Sequence, residues 1–491
     1  MGREEQIIQE REKKIKEMRE KGIEPYAYKF ENKENTGELQ EKYLRLKAGS
    51  KTGDKARIAG RVLIIRDMGK IIFSTIQDGS GKIQIQLQEG ETGNKELDFW
   101  KKYIDSGDFI GAEGIILRTK RGELTILVKK IELLSKAVLP LPEKFHGLQD
   151  EEEKLRKRYL DLLTNPEVKQ VFEKRAKIIE AMREFMSKNN FIEVETPLLQ
   201  AVYGGAAAKP FKTHCDAFNS DVYLSIAPEL PLKKALVGGF ERVYEITKKF
   251  RNEGIDRMHN PEHMTIEWYQ SYADYEDGME LFEEFIKYIA KKVLGKLEIE
   301  YQGNKINLEK WQRIPLVDAI KKYLNEDISK IKNDEQAKKI AKKHGADAEK
   351  ITKNNLADEL MKLFRSKLVQ PTFLIDYPSE LVPLGKPKRG DKTKAEIFQP
   401  FIGGMEIGRA YSELNDPEIQ EENFKEQEKE RKKGNTEAMP IDNDFVNALK
   451  HGMPPACGVG VGIERLVMLF TNSASISDVI LFPFMKPVDK K

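Results

Sequence analysis

Three separated stretches of the 491-residue chain concentrate residue types that do chemistry. In FRNEGIDRMHNPEHMTIEWYQ (250–270), Arg251 stands two residues from Glu253, and Glu267 stands two residues from Tyr269. Side chains alternate across a strand, so a strand at each end of this stretch puts each pair on one face. Burying such a hairpin as plain core is costly; taken alone, it also reads as a structural ion pair. GGMEIGRAYSELND (403–416) adds Glu406 and Glu413 in or beside another strand. In CGVGVGIERLVMLF (457–470), glycines let backbone approach a neighbour, and Arg465 then projects from the first turn of an apolar helix. A guanidinium suits phosphate or a flat ring. Together the three stretches suit a nucleotide polyphosphate, a divalent metal and a small cationic substrate. No Ser/His/Asp or Cys/His nucleophile pattern stands out. The implied chemistry is displacement by a bound substrate, aided by charge stabilisation.

Three look-alikes fail on spacing. GKPKRGDKT (385–393) nearly spells a P-loop, but Asp391 separates Gly390 from Lys392, and no strand feeds it. GVGVGIE (458–464) has G-x-G-x-G, with Ile463 in the last place and no room for a following βαβ unit. His259 and His263 have a helical metal-ligand spacing, but Pro261 lies between them.

The elements that must carry these residues follow from periodicity. Residues 3–21 read as a helix with a thin stripe of Ile7, Ile8, Ile15 and Met18; it packs on a neighbour or also touches nucleic acid. From Ala56 to Val138 short alternating runs predict five strands, with a helix over Asn94–Ser106 between the third and fourth. That order matches an OB barrel. LPLPEKFHG (139–147) reads as a linker. Beyond it, helices alternate with strands expected near Val222–Ile226, Val243–Phe250, Met264–Ser271, Thr372–Tyr377, Phe398–Ser412 and Ala456–Gly462. A lysine-rich helical insertion is expected at about 315–368. The fold class expected is α+β: an N-terminal OB-fold barrel followed by an antiparallel sheet flanked by helices. The expected division is a helical extension 1–55, barrel 56–138, linker 139–147 and large domain 148–491.

Composition removes whole classes. Lys+Arg 84 against Asp+Glu 81 gives +3, too weak an overall field to name a partner, although a local basic surface fits inside it. Two cysteines exclude a disulfide framework and a four-cysteine zinc site. MGREEQIIQE lacks the apolar core of a signal peptide, and Gln6 breaks a myristoylation pattern. No apolar run approaches the ~18 residues of a membrane span. A cytoplasmic protein without a membrane partner is the expectation.

At these residues the chain resembles the class II lysyl-tRNA synthetases. FIEVETP (191–197) looks like motif 1, FRNEG…HNPEHMTIEWY like motif 2 and GVGVGIERLVMLF like motif 3. GGAAAKPF (204–211), APELPLKK (227–234) and SELND (412–416) resemble the lysine enzymes specifically, and the likeness runs through to VILFPFMKPV. The resemblance implies ATP-dependent joining of L-lysine to tRNA(Lys) through a lysyl-adenylate, with Mg2+, in a homodimer. By matching position it implies Arg251 and Arg465 as catalytic cations. Gly205, Glu229, Arg251, Glu267, Tyr269 and Glu413 would receive lysine. Arg251, Glu253, His259, Asn260, His263, Glu406 and Arg465 would contact ATP, with Glu406 and Gln399 at the metal. Arg66, Phe73, Gln84 and Glu123 fall where the family reads the anticodon, by stacking and edge contacts. Related readings are a paralogue that lysylates a protein, which would lack the barrel, and a non-catalytic RNA-binding relative.

Departures from the family pattern bear on that reading. Gln399 stands where a second metal carboxylate is usual, Met258 where an arginine is usual, and His263 where an adenine-stacking phenylalanine is usual. Ile65 replaces a barrel arginine beside Arg66. Arg409 replaces a pocket asparagine; it is expected to turn away or pair with an acid, since it would repel an ammonium.

Overall fold

The structure, a computed structural model, describes residues 2–142, 150–349 and 351–488. It divides into two compact units, Met1–Gly147 and Leu148–Lys491. Of the expected linker, residues 143–147 lie outside the described residues.

In the first unit five strands close into a barrel: β1 Lys51–Asp67, β2 Ile71–Gln77, β3 Lys82–Gln88, β4 Phe109–Arg118 and β5 Leu124–Ser135. Their order is β1-β2-β3-β5-β4, with β3 and β5 parallel. The alternation of β2 sends Ile72, Ser74 and Ile76 inward and leaves Phe73 and Thr75 on the outer face. A helix, Asn94–Tyr103, separates β3 from β4 and buries Leu97, Trp100 and Tyr103. The Arg3–Glu20 helix buries only part of its expected stripe, Ile15 and Met18. A buried arginine helps to fasten it: Arg11 donates to the carbonyls of Ala137, Leu139 and Ser106 at 2.9–3.0 Å.

The second unit is built on a sheet whose strands enter in this chain order. β6 is Ile192–Glu193; β7 Leu199–Gln200, β8 Lys212–Cys215 and β9 Ser220–Leu224 form a small separate sheet. β10 is Arg242–Phe250 and β11 Glu262–Ser271. After a hairpin of β12 Glu298–Tyr301 and β13 Asn304–Asn307 come β14 Gln312–Pro315 and β15 Thr372–Ile375. A second hairpin pairs β16 Pro387–Lys388 with β17 Asp391–Ala395. β18 Ile397–Ile402, β19 Met405–Glu406, β20 Gly408–Ser412 and β21 Ala456–Gly462 complete the set.

Among the described residues the large sheet runs β14-β15-β18-β20-β21-β11-β10-β6, with β19 on β18. Its interior is antiparallel, as expected, but the edge pairs β14–β15 and β6–β10 are parallel. The Pro166–Lys188, Tyr275–Leu294 and Ile463–Thr471 helices pack an apolar layer on one face around Ile266 and Trp268. Truncating Trp268, 1% exposed, would cost about 3–5 kcal/mol. The alternate residues Thr265, Glu267 and Tyr269 turn to the other face. The lysine-rich insertion is helical at Leu316–Leu324, Asp334–Lys343 and Leu356–Phe364.

One sequence expectation needs correction. β10 ends at Phe250, so Arg251 and Glu253 belong to a loop, not to a strand face. That loop returns when Arg251 N–H donates to the Pro261 carbonyl at 2.8 Å. The GKPKRGDKT stretch forms part of the β16–β17 hairpin, which agrees with its rejection as a phosphate loop.

Candidate active site

A cavity of about 450 Å³ opens beside β11, β20 and β21. Its lining gathers Gly205, Glu229, Arg251, Glu253, His259 and Asn260 from three different segments. His263, Glu267, Tyr269, Glu406 and Arg465 complete the set that the sequence points to. Two expected members, Glu413 and Gln399, are absent from that lining.

One end is acidic. Register places Tyr269 opposite Gly458 and Glu267 opposite Gly460. A side chain at 458 would overlap Glu413 Oε1 and the Tyr269 ring, so that strand position requires glycine. At Gly460 a Cβ would stand 3.4 Å from Glu267 Cδ, a much looser approach near ordinary van der Waals contact. Gly205 has φ +85°, and a Cβ there would lie 2.9 Å from Glu229 Cβ; both facts favour glycine. Glu229 opens the Glu229–Val237 helix, and Tyr411 Oη lies 2.6 Å from both its carboxylate oxygens. Burial first, then the Glu229 charge, pushes Glu267 up to about 8, against the pull of Lys249 and Arg251.

Glu413 lies behind this end, not in it. Lys233, fully buried one helical turn after Glu229, is ion-paired to Glu413 and also lies 2.7 Å from Glu229 Oε1. The two acids hold Lys233 charged despite its burial, lifting it above the usual lysine value. Sequence reasoning missed Lys233, Tyr411 and Lys249. The i,i+4 spacing of Glu229 and Lys233 was an available signal, as was the period-2 spacing of Glu245 and Lys249 on β10.

The other end is cationic. The buried Nε of Arg251 has no hydrogen-bond partner, and burial followed by repulsion from Arg465 presses on its charge. Such a guanidinium is complementary to a carboxylate or phosphate. Arg465 donates to the Glu406 carbonyl at 2.9 Å and faces His259 Nε2 at 3.2 Å. Because an arginine only donates, Nε2 is the acceptor and Nδ1 carries the proton, toward Asp256 at 2.8–2.9 Å. His263 is held down to about 3, first by burial and then by Arg251 and Arg465, so it is neutral and able to stack. Asn260 is buried with Oδ1 unpartnered, and Glu253 Oε1 accepts from the Lys209 N–H at 3.4 Å.

The metal expectation divides. Glu406 lines the cavity and is half-buried. Gln399 is buried away from it, with its side-chain oxygen taken by the Tyr377 hydroxyl and Nε2 turned toward Glu406 at 3.5 Å. Of the two expected metal residues, only Glu406 lines the cavity. Among the described residues no group of three or more His, Cys, Asp or Glu has metal-holding geometry. The donor set still fits magnesium, which is commonly held by one or two carboxylates plus waters and substrate phosphates.

Among the described residues Arg409 meets no acid. It shares the cavity face with Tyr411, two residues along β20, and donates to the Leu381 carbonyl at 3.0 Å. Exposed at the rim, its guanidinium is held by that carbonyl and not by an acid.

On the barrel a second cavity, of about 630 Å³, is lined by Arg66, Phe73, Gln84 and Glu123 together with Lys82 and Lys120. Arg66 and Phe73 are register partners across β1 and β2. Gln84, opposite Thr75 on β3, donates to Thr125 Oγ1 at 2.9 Å. The half-exposed Phe73 ring lies among cations and amides, an arrangement suited to an unpaired base.

Residues 150–486 match the family described as class II tRNA synthetases (D, K and N), and residues 56–134 match the OB-fold nucleic acid binding domain. The chain belongs to the class II tRNA synthetase family. It is 47% identical to the lysine–tRNA ligase of Pelotomaculum thermopropionicum, over 99% of this chain and 96% of that one. The proteins of the same name from Clostridium novyi and Thermotoga maritima are each 46% identical, over 98% of this chain and 94% and 96% of theirs. No helix among the described residues is long and apolar enough to cross a membrane.

Proposed function

We propose that the chain joins L-lysine to the 3′ end of tRNA(Lys) at the expense of ATP, as a lysine–tRNA ligase acting in the cytoplasm. The observation that carries this reading is one cavity with buried acids at one end and an unpartnered arginine nitrogen toward the other. Its supports are the relatives' shared name and the barrel, which a protein-lysylating paralogue would lack.

In this reading Glu229 and the backbone at Gly205 receive the α-ammonium of lysine. Glu267 and Tyr269 face the side-chain ammonium, with Glu413 setting the charge behind them through Lys233. A neutral or shortened analogue would leave those acids unmatched, a strong basis for rejection. Arg251 bridges the lysine carboxylate and the α-phosphate. A carboxylate oxygen attacks that phosphorus, the bond to the β-phosphate oxygen breaks, and pyrophosphate leaves. The terminal tRNA hydroxyl then attacks the lysyl carbonyl and AMP departs. Fixed cations aimed into the cavity favour the charge that develops in both steps. His263 and Arg465 enclose the adenine, while His259, Asn260 and Glu253 orient the triphosphate end. Magnesium bound at Glu406 would neutralise phosphate charge. On the barrel, Phe73 stacks an anticodon base beside Arg66, Gln84 and Glu123. A homodimer is part of this reading through the family's motif 1.

Amino-acid-dependent ATP–pyrophosphate exchange tests it. Exchange with lysine alone, and charging of a transcript with a UUU anticodon, are the expected results. Exchange driven by aspartate or asparagine, or none at all, overturns the reading. Arg251→Ala should lower lysine-dependent exchange by about 10²–10³-fold.

A further inference from the structure

Four carboxyl groups cluster at and behind the acidic end: Glu229, Glu245, Glu267 and Glu413, each less than a tenth exposed. Two lysines with fully buried side chains stand among them. Lys233 pairs with Glu229 and Glu413, as described above. Lys249 is on β10 and donates to Ser225 Oγ at 3.1 Å, with Glu245 and Glu267 as its attracting charges. Glu245 is the register partner of Glu267 across β10 and β11, and it also accepts from Thr196 N–H and Oγ1 at 3.1 and 2.7 Å. Nothing in the proposed reaction uses Lys249 or Glu245. Yet four residues apart on one strand, an even spacing, they share the face that Glu267 occupies.

With every acid ionised and both lysines protonated, the cluster sets four negative charges against two positive ones; burial opposes both kinds of charge, pulling Lys249 down and pushing Glu413 up. We propose that Lys249 is a specificity-setting positioning residue: with Lys233 it leaves the buried cluster two negative charges, the number that a substrate with two ammonium groups neutralises. This rests on the reading of lysine as substrate, whose carboxylate goes to Arg251. An amino acid with one ammonium would leave one buried charge unmatched, which is expensive in low dielectric. Arg409 also lines the cavity, but it is exposed and engaged by the Leu381 carbonyl, so it does not enter the count.

The proton balance of the free cluster supports the count. Without substrate ammoniums, burial first and then repulsion from Glu229 keep a proton on Glu267 up to about 8. The groups that face Glu267 are Glu229 from its helix, Glu245 and Lys249 from β10, Arg251 from the loop, Tyr269 from its own strand, and Glu413. Those that face Lys249 are Glu245 and Glu267, with His263 as its register partner. Lysine binding should therefore expel a proton from Glu267. The KM for lysine should fall as pH rises toward about 8.

The test is the pH dependence of lysine-dependent exchange in the full-length protein, with Lys249→Met, Glu245→Gln and the double variant. Removing Lys249 takes away a charge that favours ionised Glu267. The KM profile should move up by at least about one pH unit, raising KM for lysine about tenfold at pH 7 while KM for ATP stays within about twofold. The double variant restores the count of two and should recover most of the affinity that Lys249→Met loses, because the two removals act on Glu267 in opposite directions. A Lys249→Met profile that superimposes on wild type, or a double variant no better than Lys249→Met alone, overturns the proposal. If Lys249→Met does not fold, Glu245→Gln decides: it removes a charge that holds the proton on Glu267, so the KM profile should move down by about one pH unit, and an unmoved profile overturns the proposal. Wild-type protein inactive with lysine would instead refute the substrate reading on which the count is built.

Discussion

Adding one methyl group to the glycine strand β21 separates a requirement for space from a requirement for charge. At Gly458 the new Cβ would overlap both Glu413 Oε1 and the Tyr269 ring. Neither yields easily, since Glu413 is tied to Lys233 and the Tyr269 ring is 2% exposed. Overpacking a fixed site costs about 1–3 kcal/mol. If that falls on the substrate complex, kcat/KM for lysine drops by about 5- to 150-fold, at 1.36 kcal/mol per factor of ten. At Gly460 the methyl would meet Glu267 at 3.4 Å, which a small side-chain shift relieves. Gly460→Ala should therefore lose less than about fivefold. Lysine-dependent pyrophosphate exchange, run beside thermal unfolding, reads both variants, with KM for ATP as the control. A Gly458→Ala protein with wild-type lysine kinetics, or a Gly460→Ala protein that is the worse of the two, would refute the packing assigned to this strand.

Other perturbations address the remaining parts. Phe73→Ala should raise KM for tRNA by about 5- to 150-fold, the worth of one stacked base, and leave pyrophosphate exchange unchanged; equal losses in both assays would remove Phe73 from RNA binding. Arg465→Ala should raise KM for ATP by about tenfold or more while lysine binding, followed by calorimetry, holds steady. His263 is depressed to about 3 in the fold, so its contribution to stability is present above the unfolded value near 6.5 and is lost as pH falls toward 3. His263→Phe should accordingly lose less thermal stability than wild type between pH 6.5 and 5; identical slopes would contradict the burial assigned to this ring.

The parts of the site that follow a short-range rule were legible in the sequence. Glu267 and Tyr269 share a face because a strand alternates, and Gly458 and Gly460 announce close approach on the neighbouring strand. The barrel was readable from its five alternating runs. Arg251 was misplaced onto a strand because the local pattern gives no sign of where β10 stops; the backbone bond from Arg251 to Pro261 closes the loop, and that partner is ten residues away. The Tyr275–Leu294 helix is absent from the sequence reading although Asp274 caps it and Phe282, Phe285, Ile286 and Ile289 repeat at helical spacing. Lys233 and Lys249 look like ordinary surface lysines, since burial of a charge depends on partners from distant segments. Glu413 lies 180 residues beyond Lys233 in the chain, which no periodicity can reveal.

The closed barrel carries a consequence for how this protein can change. A ring of strands has no free edge, so a passing polymer finds few unsatisfied backbone groups on which to zip up. On the proposed reading, discrimination then falls to the tips of outward residues such as Phe73 and Gln84, while Ile72 and Ile76 maintain the interior. Preference for a different base triplet is thus open to drift by exchanging a few outer side chains, with thermal stability largely insulated from the experiment.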